Sequence, residues 1–162
     1  MSLDLLAAAA AGLATFGVTL AFYRLVGHYE EGTVAVGLSG WHFSVGLLGW
    51  ILVLAAALAL WGRRLPRGPT FSRWIAGGVA TAAAVAATLT SVIALVDRPE
   101  GRDVAAAAFE HVAREELLDV ATQAQGWMSV GSEVELGLGP FLLILAALLA
   151  LLAGARVLAT GT

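Results

Sequence analysis

The chain has 162 residues, of which 59% are hydrophobic and 13% charged, with a mean hydropathy of +0.86. A soluble domain is about 45–50% apolar and about 25% charged, so this composition excludes an ordinary cytosolic globule, and equally a disordered or collagen-like chain. The net charge is −3 and there is no cysteine, which removes disulfides, thiol catalysis and thiolate metal centres.

The elements follow in chain order. A spanning helix takes about 20 mostly apolar residues at about 1.5 Å rise each. Residues 5–23 carry no charge, and the first span is placed at about 5–26. Its start, Met-Ser-Leu-Asp, offers Asp4 where a signal peptide would have basic residues, so a retained helix is expected. An outer segment of about 27–42 follows, in which residues 33–37 have strand character. The second span covers 43–62. Arg63, Arg64, Arg67 and Arg73 crowd the connection to the third span, 74–96. That third run is rich in small residues, with Gly77/Thr81 and Gly78/Ala82 at four-residue spacing. Such pairs let helix backbones approach closely, and a central position is expected for it.

The second outer segment is about 97–135. Residues 102–125 read as an amphipathic helix whose apolar stripe includes Phe109, Val112, Leu117 and Val120. Glu110, Arg114 and Glu115 lie off that stripe. Residues 132–136, Ser-Glu-Val-Glu-Leu, alternate like a strand. They are expected to pair with 33–37 in a small outer sheet. The fourth span, about 136–155, is Leu-rich and is expected to face lipid; Gly139-Pro140 marks its beginning. The class expected is thus an all-α membrane protein. It is a single domain over 1–162, a four-transmembrane-helix bundle with a small outer segment made of an amphipathic helix and short β-strands. Residues 46–62 also match 137–153 at nine of 17 positions. A duplicated hairpin explains this, and so does shared Leu/Ala composition.

The Arg cluster assigns the loop between spans two and three to the cytoplasm, and with it both termini. Eleven of the twelve acids then fall outside. Trp61 and Trp74 on one side, and Tyr23, Tyr29, Trp41 and Trp127 on the other, occupy the boundary positions of interfacial anchors. All nine basic residues are Arg, which reflects coding or environmental bias rather than a site.

Ionisable groups deep in a bilayer mark function because they are costly to keep there, and no central stretch holds one at mid-depth. Thr15, Thr19, Thr81, Thr88, Thr90 and Ser91 remain, and these can bond back to their own helices. Candidates for chemistry therefore gather at the outer boundary. His28, Trp41 and His42 form one set, at adjacent span ends, with the capacity to hold haem, a quinone or a lipid. His111 and Glu115, at i, i+4 spacing, form a metal-ligand pair or a solvated His–Glu pair. Phe109, Glu110, Arg114, Glu115 and Trp127 form an interaction surface. There is no G-x-S-x-G, Walker loop or H-E-x-x-H pattern, and the one basic cluster is explained by topology rather than by nucleic acid.

The segment G-T-V-x-V-G-x-S-G-W at 32–41 precedes one span, and G-W-M-S-V-G at 126–131 with G-L-G-P-F at 137–141 precedes the last. In this arrangement the chain resembles small uncharacterised prokaryotic four-span membrane proteins. In topology alone it is similar to claudin-like proteins, with two outer segments and cytoplasmic termini. The resemblance implies a small outer sheet and no catalytic residue. The cysteines of the W…C…C pattern are absent, so neither the claudin disulfide nor a junction-forming role carries over. The function expected is that of a non-enzymatic accessory, assembly or interaction subunit of the plasma membrane, in contact with lipid and with a protein partner or another copy of itself, and without a cofactor. The alternative is a bundle binding haem, quinone or lipid near the outer boundary.

Overall fold

Ser2 starts the first helix: its Oγ accepts the Leu5 amide at 3.3 Å, while Asp4 in the first turn complements the helix dipole. The computed structural model describes residues 2–29, 32–62, 69–100, 103–104 and 132–160. The first helix, α1 (Leu3–Thr19), ends short of the expected boundary at 26. At Leu20 the backbone turns to φ −74°, ψ 167°, and the chain continues as strand β1 (Ala21–Tyr29). Phe22, Tyr23, Leu25 and Val26 are all buried. Only Arg24 is exposed among residues 22–27, and periodicity does not separate so short and mostly apolar a stretch from the end of a helix.

Strands β2 (Gly32–Ser39) and β3 (Ser132–Leu136) occur where alternation places them. They do not pair with each other. The sheet order is β2-β1-β3, with both pairings antiparallel. Val26 thus lies opposite Ala35 on one side and Glu133 on the other. A register shift between Ala21 and Tyr23 bends β1 as it leaves α1. On β3, Glu133 and Glu135 are exposed, whereas Val134 and Leu136 pack against the core. Gly137 closes the corner after β3: its amide donates to the Phe22 carbonyl at 3.0 Å, and a Cβ there would collide with the Ala21 carbonyl.

After β2 a 3-10 turn, Gly40–His42, leads into α2 (Ser44–Gly62). The remaining helices are α3 (Pro69–Val96) and α4 (Gly139–Thr160). Proline at the first turn costs α3 no hydrogen bond, because the first four amides have no helical acceptor. Three segments are long and apolar enough to cross a membrane: Ser44–Gly62, Trp74–Val96 and Gly139–Thr160. At 17 residues, α1 rises only about 25 Å, a few ångströms less than the hydrocarbon layer.

The helices pack in a ring, α1 on α2, α2 on α3, α3 on α4 and α4 on α1, with a weaker α2–α4 diagonal. On α3 and α4 the residues turned inward are mostly small. Helix α3 buries Ala76, Ala80, Ala84, Ala87, Ser91 and Ala94, and α4 buries Ala146, Ala147, Ala150, Ala153 and Gly154. Leu6, Val53, Leu60 and Leu143 join that interior, while Phe16 on α1, Leu58 on α2, Leu89 on α3 and Leu148 on α4 are all exposed. A coat of this kind fits helices long and apolar enough to cross a membrane.

This distribution corrects the expectation for the last helix. Helix α4 packs against all three others, since its alanines share one side while Leu145, Leu148 and Leu152 lie on the other. Of the two small pairs on α3, Gly77 and Thr81 meet α4, at Leu158 and Gly154 respectively, whereas a Cβ on Gly78 would meet nothing within 4 Å. The α2/α4 sequence match is not repeated in burial. Val53, Ala57 and Leu60 are buried, but their counterparts Ile144, Leu148 and Leu151 are not. Shared Leu/Ala composition accounts for such a match.

Candidate functional site

The polar residues of the apolar segments are mostly spent on their own helices. Thr15, Thr88, Thr90 and Ser91 donate to the carbonyls four residues earlier, at Ala11, Ala84, Ala86 and Ala87, over 2.8–2.9 Å. Thr19 donates to Phe16 O at 2.8 Å. Thr15 has a second task, accepting the Trp50 indole N–H at 3.1 Å, which ties α1 to α2. Thr81 is the exception, because its Oγ1 is buried against Gly154 with no hydrogen-bond partner.

The one concentration of chemically capable groups among the described residues lies at the end of the bundle beneath the sheet. It is an open crevice of about 550 Å³. One wall is the entry to α2, with His42, Phe43, Ser44 and Val45. The other is the exit of α3, with Asp97, Arg98, Pro99, Glu100 and Asp103, and Tyr23 forms the floor.

Three devices hold these walls. Tyr23 is 1% exposed, and its hydroxyl donates to the Ala94 carbonyl at 2.8 Å. That carbonyl belongs to the last turn of α3, where no further helical amide reaches it. The Tyr23 ring meets Phe22 and Phe43 edge-to-face, with centroids 5.4 and 4.7 Å apart. Beyond the crevice, the Glu100 carbonyl accepts the amides of Asp103 and Val104 at 2.9 and 3.2 Å, and Val104 is fully buried in the core. Burial pushes the Tyr23 phenol above its ordinary value; nearby Asp97 adds to the rise and Arg98 opposes it. Tyr23 is therefore an internal clasp, not the interfacial anchor expected from its position.

The sequence candidates fall in different places. His42 lines the crevice, with Nδ1 3.1 Å from Ser39 Oγ and 3.3 Å from the Ser39 carbonyl oxygen. Trp41 turns away to stack edge-on with Trp50, centroids 4.9 Å apart. His28 is paired with Thr33 toward the tip of the β1–β2 hairpin, while His42 follows the base of that hairpin at Ser39. Six residues of strand, at about 3.3 Å each, put roughly 20 Å between the two ends, so the hairpin separates the two histidines. Phe109, Glu110, His111, Arg114, Glu115 and Trp127 lie outside the described residues, as does all of the expected 102–125 helix except Asp103 and Val104, which are helical. Among the described residues, no three His, Asp or Glu side chains come together closely enough to hold a metal ion.

Sequence reasoning missed Tyr23, Asp97, Arg98 and Glu100 as site residues. The available signal was Asp-Arg-Pro-Glu directly after a 23-residue apolar run. What brings that tetrapeptide opposite His42 and Phe43 is the α2–α3 packing. No family model matches the chain, and no curated protein matches it.

Proposed function

We propose that the chain is a four-span plasma-membrane protein that acts as a non-enzymatic accessory or assembly subunit, engaging a protein partner or a second copy through its acidic outer face. The observation that carries this reading is the small inward faces of α3 and α4, with large apolar side chains exposed on all four helices, capped at one end by a three-stranded sheet with exposed Glu133 and Glu135 on its edge strand. Exposed Leu5 and Phe16 favour counting α1 among the spans, with the short helix met by local thinning of the bilayer. The Arg-rich 63–73 connection favours cytoplasmic termini. An α1–hairpin–α2 order, with a further strand before α4, favours the claudin-like topology and the likeness to prokaryotic four-span proteins.

Exposed carboxylates on this edge strand suit a basic surface on the partner or on the second copy. Co-purification in mild detergent followed by native mass spectrometry tests this. A stoichiometric partner or homo-oligomer, released by Glu133→Lys with Glu135→Lys, is the expected result; a strictly monomeric, partner-free species refutes it. A second reading, ligand binding at the outer boundary, is favoured by the crevice beside His42. The haem form of that reading predicts a Soret band that His42→Ala abolishes.

A further inference from the structure

The crevice between the entry to α2 and the exit of α3 has a lining that selects among ligands. We propose that it is a headgroup site for a zwitterionic phosphoethanolamine moiety, the ammonium held by the Asp97, Glu100 and Asp103 wall and the phosphate by Arg98. The proposal rests on the reading of α2 and α3 as membrane spans.

Four observations carry it. The first is depth. Asp97 directly follows Val96, the last residue of one apolar span, and Phe43 directly precedes Ser44, the first residue of another. The crevice thus opens at the level where lipid headgroups lie. The second is size: about 550 Å³ falls in the range of small-molecule sites and far exceeds what a bare ion fills. The third is spacing. Three carboxylates and His42 line one crevice, yet no three of them converge within metal-ligating range. Such a wall suits an extended ligand with several donors rather than a single cation. The fourth is charge pattern. Three carboxylates against one guanidinium disfavour an anionic headgroup, while Arg98 supplies the partner a phosphate needs. A primary ammonium offers three N–H donors to carboxylates, whereas a quaternary one offers none. Phe43 and Val45 give the crevice an apolar margin for the glycerol end.

The full chain in mild detergent is mixed with equal amounts of phosphatidylethanolamine, phosphatidylcholine and phosphatidylglycerol, and retained lipid is counted by native mass spectrometry. Charge-assisted hydrogen bonds at this level predict a preference for phosphatidylethanolamine of about tenfold. Arg98→Gln, and separately Asp97→Asn with Glu100→Gln, should each erase most of that preference at unchanged melting temperature. Arg156→Gln, on the far end of α4, should leave it intact. Equal retention of the three lipids, or a preference untouched by the crevice variants, overturns the proposal. Soluble phosphoethanolamine added as competitor decides the source. Displacement of lipid by the soluble compound supports the site with the headgroup as sufficient ligand; persistence of the lipid preference supports the site with the intact lipid as ligand. Nanodisc incorporation is scored in parallel, so that failure of the membrane reading is seen separately from failure of the lipid preference.

Discussion

Tyr23→Phe removes a single oxygen from the floor of the crevice and leaves the ring among Phe22 and Phe43. The hydroxyl it deletes is the donor to the Ala94 carbonyl, 2.8 Å away. Because Ala94 is buried and lies in the last turn of α3, the freed carbonyl finds neither a helical amide nor ready access to water. Leaving a buried acceptor unpaired costs about 1–3 kcal/mol, and loss of the ring packing adds nothing, since the phenyl group stays. The pH dependence sharpens the test. The Tyr23 pKa is raised in the folded state by burial and by Asp97, so the folded protein holds the phenolic proton more tightly than the unfolded chain. That stabilisation is fully present below the unfolded value of about 10 and is lost as pH rises through the folded one, at up to about 1.4 kcal/mol per pH unit. Wild type should therefore exceed Tyr23→Phe by about 1–3 kcal/mol at pH 8, and the gap should narrow above pH 10. Denaturant titrations in mixed micelles between pH 8 and 11 measure it, and Tyr29 cancels because both proteins contain it. Equal stability at pH 8, or a gap that does not change with pH, would refute the clasp.

Two further predictions concern the helix seams. Trp50→Phe and Thr15→Val each break the indole–hydroxyl bond between α1 and α2; a double-mutant cycle should return a coupling of about 0.5–1.5 kcal/mol, and an additive cycle would remove that bond from the account. Gly154→Ala presses a methyl group to within 2.7 Å of Thr81 Oγ1 and 3.0 Å of the Thr81 amide nitrogen. It should lower stability by about 1–3 kcal/mol, with partial rescue by Thr81→Ala, while Gly78→Ala, which meets nothing within 4 Å, should be neutral or stabilising. Thermal unfolding of Gly154→Ala, its combination with Thr81→Ala, and Gly78→Ala distinguishes these outcomes, and equal effects of the two glycine substitutions would contradict the packing described.

The amino-acid sequence by itself determined the class of surface this protein presents, because hydrophobic burial is roughly additive along the chain and three apolar runs are long enough to span a bilayer without tertiary help. It also determined the strand-like stretches at 33–37 and 132–136 and the self-bonding of Thr15, Thr88, Thr90 and Ser91, which are local matters of period and of reach to the preceding turn. Tertiary structure decided the rest. Residues 21–26 are apolar apart from Arg24 and resemble a helix end, and only pairing on both edges made them part of the central strand. The leucines of α4 suggested a lipid-facing helix, but its alanines, gathered on one side, chose the interior, because close helix approach rewards small residues where lipid gives large ones no reason to hide. The crevice is likewise non-local: Tyr23, His42 and Asp97 are unremarkable in the chain, and they share a site because α2 and α3 lie side by side with β1 across their ends.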